Sequence, residues 1–268
     1  MRRPTASVAG ALAVGALAVV TLLSACGAGS DGSGSGSTGS GSSGLSGEIT
    51  VFAAASLTGS FTELGQKFQA AHPGTKINFS FGPSSGLATQ IVAGSPADVF
   101  AAASAKNMDA VVAAKAAERP TSFAKNVMEI AVPPANPAHV STLADLAKPG
   151  VKVALCAAEV PCGVGARTVF SNAKLTVQPV TEEVDVKATL TKVQLGEVDA
   201  GVVYVTDVLA AGSKVTGIEI PADVNASTSY PISTLTRSKN AALANAYVDY
   251  VHSPEGAQVL AAAGFQKP

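Results

Sequence analysis

The stretch Ile49-Thr50-Val51-Phe52-Ala53-Ala54-Ala55-Ser56-Leu57-Thr58 decides how the rest of the chain is read. Ile49, Thr50, Val51 and Phe52 are β-branched or aromatic and follow a Gly-rich run, which predicts a strand. Three alanines then lead to Ser56, and from Phe61 onward the apolar residues fall at helical spacing. A buried strand thus gives way to a helix at Ser56. A small hydroxyl at such a turn stands beside backbone N–H groups that have no partner inside the helix, which makes a candidate anion site. The same residues also fit a plain helix cap by Ser56 or Thr58, and this stretch alone does not choose between the two.

Working outward, the chain alternates. A helix near 59–71 carries Phe61, Leu64 and Phe68 on one face and stops at His72-Pro73-Gly74. A strand follows at 76–81, then a turn at Gly82-Pro83-Ser84-Ser85-Gly86, a short helix at 87–93, a strand at 97–102 and a helix at 108–117. A strand at 126–132 opens a second unit. It continues with a helix starting at 143–146, a strand at 151–155, a loop at 156–165, helices at 165–172 and 186–195, and a buried strand at 200–205. A short strand at 218–221, an extended segment at 230–235 and one helix at 241–262 close the chain, the last expected to pack back on the first unit. Strand–helix alternation of this kind predicts two α/β lobes, each a mostly parallel sheet with helices on both faces.

The bulk numbers agree with a globular α/β body carrying an added segment. The chain has 268 residues, 47% hydrophobic and 14% charged, with no Trp. Without Arg2 and Arg3, 16 of the 18 basic groups remain against 19 acidic ones, a balance near −3. That argues against nucleic acid or an anionic membrane surface as a partner, and no basic field is available to hold an anion.

The added segment is N-terminal. Met1-Arg2-Arg3 is basic, and 9–23 is an uncharged apolar run, too short to span a bilayer and suited to a signal peptide. It ends in Leu23-Ser24-Ala25-Cys26, which resembles the lipobox of a bacterial lipoprotein. The resemblance implies cleavage before Cys26 and acylation of that residue. The alternative is an ordinary secreted protein with an incidental Cys26. From Gly27 to Gly47, 17 of 21 residues are Gly or Ser. Such a segment cannot bury enough surface to offset its ordering entropy, so it reads as a flexible tether reaching about 25 Å. The expected organisation is a signal peptide at 1–25, a lipidated Cys and tether at 26–47, one lobe from 48–127 plus 228–268, and a second lobe from 128–227.

The strand-to-helix turn recurs at Ser84-Ser85-Gly86, at Pro161-Cys162-Gly163 and between Thr181 and Val186. Each presents backbone N–H groups at a positive helix end, and open α/β sheets bind ligands where such turns cluster. None of the four turns contains Lys, Arg or His. A cage of neutral donors suits a fully ionised dianion, whereas a protonated phosphate requires an acceptor.

From Glu48 to Phe265 the chain resembles the bacterial periplasmic molybdate-binding proteins, the solute receptors of molybdate ABC transporters. The residues that carry the resemblance are Val51 to Leu57, Phe81 to Leu87, Ala93 to Phe100, Val160-Pro161-Cys162-Gly163 and Gly201 to Tyr204. It implies a two-lobed type II periplasmic binding protein closing at a hinge. The implied ligand set is the hydroxyls of Ser56, Ser84 and Tyr204 together with backbone amides at Ser56, Ser84, Cys162 and Val186. Cys162 departs from the small residue usual at its position, which a backbone donor survives. Molybdate and tungstate, nearly alike in size and charge, are the implied ligands, with molybdenum bound only as the oxyanion. A membrane permease is the implied partner, and no cofactor, no chemistry on the ligand and a monomer are expected. The implied location is the outer face of the cell membrane.

In an oxidising compartment Cys156 and Cys162, six residues apart, are expected to pair and pin the loop that offers the Cys162 amide. Two buried free thiols are the alternative. His72, His139 and His252 are scattered, which disfavours a metal site. Rival functions are a receptor for sulfate or another oxyanion, a ferric-ion receptor, for which Tyr204 stands too much alone, and a serine hydrolase. For the last, Gly82 to Gly86 reads G-x-S-x-G with Ser84 as nucleophile and Asp207 and His252 following, and Ser122 to Lys125 fits S-x-x-K. The elbow comes after only two strands and lacks a preceding oxyanion loop, so the hydrolase is the weaker reading.

Overall fold

The structure is a computed structural model that describes residues 44–268. The signal segment, Cys26 and most of the tether lie outside the described residues. In chain order the elements are β1 (Gly47–Ala54), α1 (Thr58–Ala71), β2 (Thr75–Gly82), α2 (Ser84–Val92), β3 (Val99–Ala101), α3 (Ala105–Ala113) and β4 (Thr121–Val132). Then come β5 (Val153–Cys156), α4 (Pro161–Asn172), β6 (Thr181–Glu183), α5 (Val186–Gln194), β7 (Ala200–Tyr204), α6 (Val205–Ala211), β8 (Thr216–Glu219), β9 (Ser227–Thr234), α7 (Ala241–His252) and α8 (Pro254–Ala262).

Val51, Phe52, Ala53 and Ala54 of β1 are buried in succession, the pattern of a strand covered on both faces. β1 pairs in parallel with β2 and with β3, and α1 and α2 supply the crossovers that parallel pairing demands. β5 likewise lies parallel to β6 and β7. The strands follow the order β2-β1-β3-β9-β4-β7-β5-β6, with β8 beside β4. The sheet is less parallel than the sequence suggests. β9 runs antiparallel to β3 and β4, and β4 runs antiparallel to β7 and β8. These are the strands on which the chain leaves one half and returns.

β4 is a single 12-residue strand that changes partners along its length. Its residues from Thr121 to Val127 pair with β9, and those from Met128 to Val132 pair with β7 and β8. The apolar core changes at the same place. One cluster is built from residues between Met128 and Ile220, joined by Ala55. Two others draw on residues between Ile49 and Ala124 and between Tyr230 and Phe265. α7 and α8 belong to the second group: Leu243, Tyr247, Val259 and Leu260 pack with Phe61, Leu64 and Phe68 of α1.

Several boundaries differ from the sequence reading, each for a local reason. The C-terminal helix is two helices, because Pro254 has no N–H and forces Ser253 to an extended ψ of 163°. Ser253 then caps α8 by accepting from Gly256 N–H. α4 begins at Pro161, not at residue 165, since proline fits the first helical position, where no N–H is required. α2 begins at Ser84, at the turn residues themselves. α3 stops at Ala113, ahead of Lys115 at a φ of 58°. β6 and α6 were not expected: β6 has three residues, and α6 follows β7 with no intervening polar turn.

Candidate functional site

The carboxyl ends of β1, β2 and β7 and the starts of α2, α4 and α5 converge on one small cavity. Its walls include Ala54, Ala55, Ser56, Pro83, Ser84 and Ala103 from one half, and Val160, Cys162, Asp185, Val186 and Tyr204 from the other. Its volume is about 10 Å³, the scale of the space one water centre occupies. A single compact ion suits such a space, and a sugar or a peptide does not. All five residues proposed from sequence as ligand contacts, Ser56, Ser84, Cys162, Val186 and Tyr204, stand on this wall.

The helix starts show why an anion suits it. A helix leaves its first N–H groups without intrahelical partners, and these ordinarily find a side-chain cap or water. Asn240 caps α7, Ser253 caps α8, and Asp185 caps α5 by accepting from Ala188 N–H at 2.9 Å. At the cavity, α2 and α4 are preceded by Pro83 and Val160, which offer no capping side chain. Yet Ser84 and Cys162 are buried. Their first-turn amides therefore face the cavity with no protein side chain to receive them, and the positive helix ends add to the pull on a negative group.

The hydroxyls are arranged to donate as well. Ser84 Oγ accepts from the Ala103 N–H at 3.0 Å, which fixes its lone pair and leaves its own proton for an acceptor in the cavity. Ser56 Oγ lies 2.9 Å from the Tyr230 hydroxyl. When Tyr230 donates, the Ser56 proton is likewise free. The Tyr204 hydroxyl is buried and has no hydrogen-bond partner among the described residues. Tyr247 and Tyr250 have unpartnered hydroxyls as well, but Tyr204 alone of the three lines this cavity, close to the Tyr230 hydroxyl, where a ligand oxygen could take its proton. Burial holds the hydroxyls of Tyr204 and Tyr230 well above the ordinary tyrosine value, so both remain protonated donors.

Cys156 and Cys162 are joined by a disulfide. It ties the end of β5 to the first turn of α4. The turn is tight: a Cβ on Gly163 would lie 1.9 Å from the Ala157 carbonyl oxygen. Arg167 donates to the carbonyls of Cys156 and Gly163 and pairs with Glu182, so its charge is spent on the scaffold. Lys187, in the first turn of α5, pairs with Asp207 at 2.9 Å. The cavity therefore has no uncommitted cation on its wall, as the neutral turns suggested.

Three residues that matter here escaped the sequence reading. Tyr230 reaches Ser56 across 174 positions, and nothing local announces it. Asp185 lies inside the Thr181 to Val186 turn but is not singled out there; it is the cap of α5 and lines the cavity, so the walls are not donors alone. Its position just ahead of an apolar helical pattern was the available signal. Lys187 sits one residue beyond the turn that was read.

The hydrolase arrangement is not assembled. Asp207 bonds to Lys187 and to the Tyr204 N–H, His252 bonds to Thr121, and Ser84 accepts from Ala103, so the three candidates have separate partners. Among the described residues no three His, Cys, Asp or Glu side chains gather as metal ligands. No described helix is long and apolar enough to cross a membrane.

Comparison with known proteins adds an independent line. The profile of the bacterial extracellular solute-binding proteins matches residues 49–266. The molybdate-binding protein ModA of Mycobacterium tuberculosis is 42% identical over 221 residues, 82% of this chain and 85% of that protein. Escherichia coli ModA is 31% identical over 230 residues, 82% of this chain and 89% of its own length. In three dimensions the fold is similar to that of the periplasmic molybdate-binding protein of Azotobacter vinelandii, with a TM-score of 0.74 at 19% identity, covering 82% of this chain and 99% of that one.

Proposed function

Because this chain belongs to the bacterial extracellular solute-binding proteins, we propose that it captures molybdate outside the cell and delivers it to a membrane permease of the ABC type. The observation that carries the reading is the pair of buried, uncapped helix starts, α2 and α4, facing one ion-sized cavity. The unpartnered Tyr204 hydroxyl and the oriented Ser84 hydroxyl support it. The ligand contacts proposed are the hydroxyls of Ser56, Ser84 and Tyr204 and the amides of Ser56, Ser84, Cys162 and Val186. The M. tuberculosis and E. coli proteins named for molybdate binding support the choice among oxyanions. Molybdate is cargo in this reading, and no bond of it is broken.

Tungstate, of the same charge and nearly the same size, belongs to the same proposal. Sulfate is smaller, and its oxygens would stretch every hydrogen bond. Two lobes, 48–127 with 228–268 and 128–227, would close about the crossings near 127/128 and 227/228, where β4 changes partners. The Cys26 lipid and the Gly/Ser tether would hold a monomeric body at the outer face of the membrane, free to reorient toward the permease. Titration of the protein with molybdate tests the function: a stoichiometry of one with saturation supports it, and no binding by molybdate or tungstate removes it.

A further inference from the structure

Asp207 is the most deeply buried carboxylate among the described residues, with no exposed surface. A buried charge of this kind is costly unless it is paired and hydrogen-bonded. Only Oδ2 is hydrogen-bonded; Oδ1 has an ion-pair partner and no hydrogen bond among the described residues. Oδ2 accepts from the Tyr204 N–H at 3.3 Å, and Oδ1 lies 2.9 Å from Lys187 Nζ. The partners are informative: Tyr204 carries the unpaired hydroxyl of the cavity, and Lys187 directly follows Val186, whose amide is a proposed ligand contact.

The pair also stands close to the cavity electrostatically. Burial is the largest cause of the raised Tyr204 and Tyr230 hydroxyls, and the Asp207 charge adds to the rise in both. Lys187 itself lines the groove that runs past Ser56, Gly59 and Glu63 on the outer side of the cavity. The Lys187–Asp207 ion pair thus lies beside a site whose donors are neutral dipoles and whose wall also carries the Asp185 carboxylate. Alone, the carboxylate would repel an incoming anion. Alone, the ammonium would attract any anion of sufficient charge.

We propose that the Lys187–Asp207 pair is a charge-compensating element that keeps the surroundings of the anion site neutral. It cancels its own charge, so the cage selects by size and hydrogen-bond geometry and not by charge. It also braces the Tyr204 strand end against the start of α5. The inference rests on the reading of the cavity as the site of a tetrahedral dianion and adds to it what keeps the neighbouring charges from setting its affinity.

The test uses Asp207→Asn, Lys187→Met and Lys187→Arg, titrated calorimetrically with sodium molybdate, sulfate and phosphate at low and high salt. Asp207→Asn leaves an uncompensated ammonium. Its affinities for the dianions molybdate, sulfate and phosphate should rise together by about tenfold, the scale of one partly screened nearby charge, and binding should become salt-sensitive. Lys187→Met leaves the carboxylate unpaired, so every anion should bind about tenfold or more weaker at pH 8 and recover as the pH falls and Asp207 takes up a proton. The other titratable groups facing Asp207 are Asp185, Tyr204 and Tyr230. Both tyrosines stay protonated throughout this range, and Asp185 is common to all variants. Lys187→Arg keeps the charge and should keep the wild-type anion affinities. Lys187 is partly exposed, so its variants test the idea even if Asp207→Asn does not fold. Wild-type anion affinities, salt response and pH response in folded Lys187→Met would overturn the proposal. A wild-type protein that binds none of these anions would instead overturn the reading of the cavity.

Discussion

Replacing Ser56 or Ser84 by alanine removes one buried donor from the cavity, and each should weaken molybdate binding by about 1–3 kcal/mol, roughly 5–150-fold. Calorimetry on the two variants checks this, and an unchanged affinity removes that serine from the contacts. Tyr204→Phe separates binding from folding more sharply. The hydroxyl has no partner in the unliganded chain, so its loss should leave the melting temperature of the free protein unchanged or slightly higher. Affinity for molybdate should still fall. A variant that loses stability and keeps affinity would make Tyr204 an ordinary core residue. The three alanines that precede Ser56 also have a use at this scale. Ala54 and Ala55 line a cavity of about 10 Å³, which no larger side chain would leave open. Ser56, Ser84 and the start of α5 were legible in sequence, because a strand ending in a small or hydroxyl residue before a helical pattern is a local signal. Tyr230 and the Asp207–Lys187 pair were not, because pairing across 174 and 20 positions depends on strand register and leaves no mark on neighbouring residues.

At the scale of elements, the disulfide and the helix caps carry separate tests. Converting Cys156 and Cys162 to serine releases the first turn of α4. The loop is short, so the chain-entropy loss should be about 2 kcal/mol. Molybdate affinity should fall as well, because the Cys162 amide is no longer pinned; full affinity with reduced stability would limit the bond to a structural role. Asp145 gives a pH test away from the site. It accepts from the amides and hydroxyls of Ser141 and Thr142 and pairs with Lys148 at 2.6 Å. The Lys148 bond first, and then those from Ser141 and Thr142, hold its carboxyl well below the usual carboxylate range. A depressed folded-state value adds stability above the unfolded value, near pH 4, and loses it as the pH falls further. Asp145→Asn should therefore melt lower at pH 7 and lose less stability than wild type between pH 4 and pH 2. An identical acid profile for the two proteins contradicts this. The sequence reading placed most strands well and helix starts less well. Strands were marked by runs of β-branched residues, whereas α4 begins inside what looked like a loop because proline is a helix breaker everywhere except the first turn.

At the scale of the whole molecule, one sheet path holds three apolar clusters, and the division of one from the other two follows the change of partners along β4. The cavity is walled from both sides, and in the proposed hinge reading the halves part to admit the ligand. Small-angle scattering should show the radius of gyration of the body decreasing when molybdate is added, and no change would argue against closure about a hinge. Long-range features such as the antiparallel return strand β9 were the least legible at this scale, since a strand's neighbours are fixed by the packing of the whole chain. The central claim is that a cage of neutral donors, with its nearby charges cancelled, takes molybdate. Calorimetric titration of the protein with molybdate, tungstate, sulfate and phosphate, at equal pH and ionic strength, tests it most directly. The account predicts saturable one-to-one binding of molybdate and tungstate, with sulfate and phosphate far weaker. Tight sulfate or phosphate binding with no heat from molybdate would contradict it.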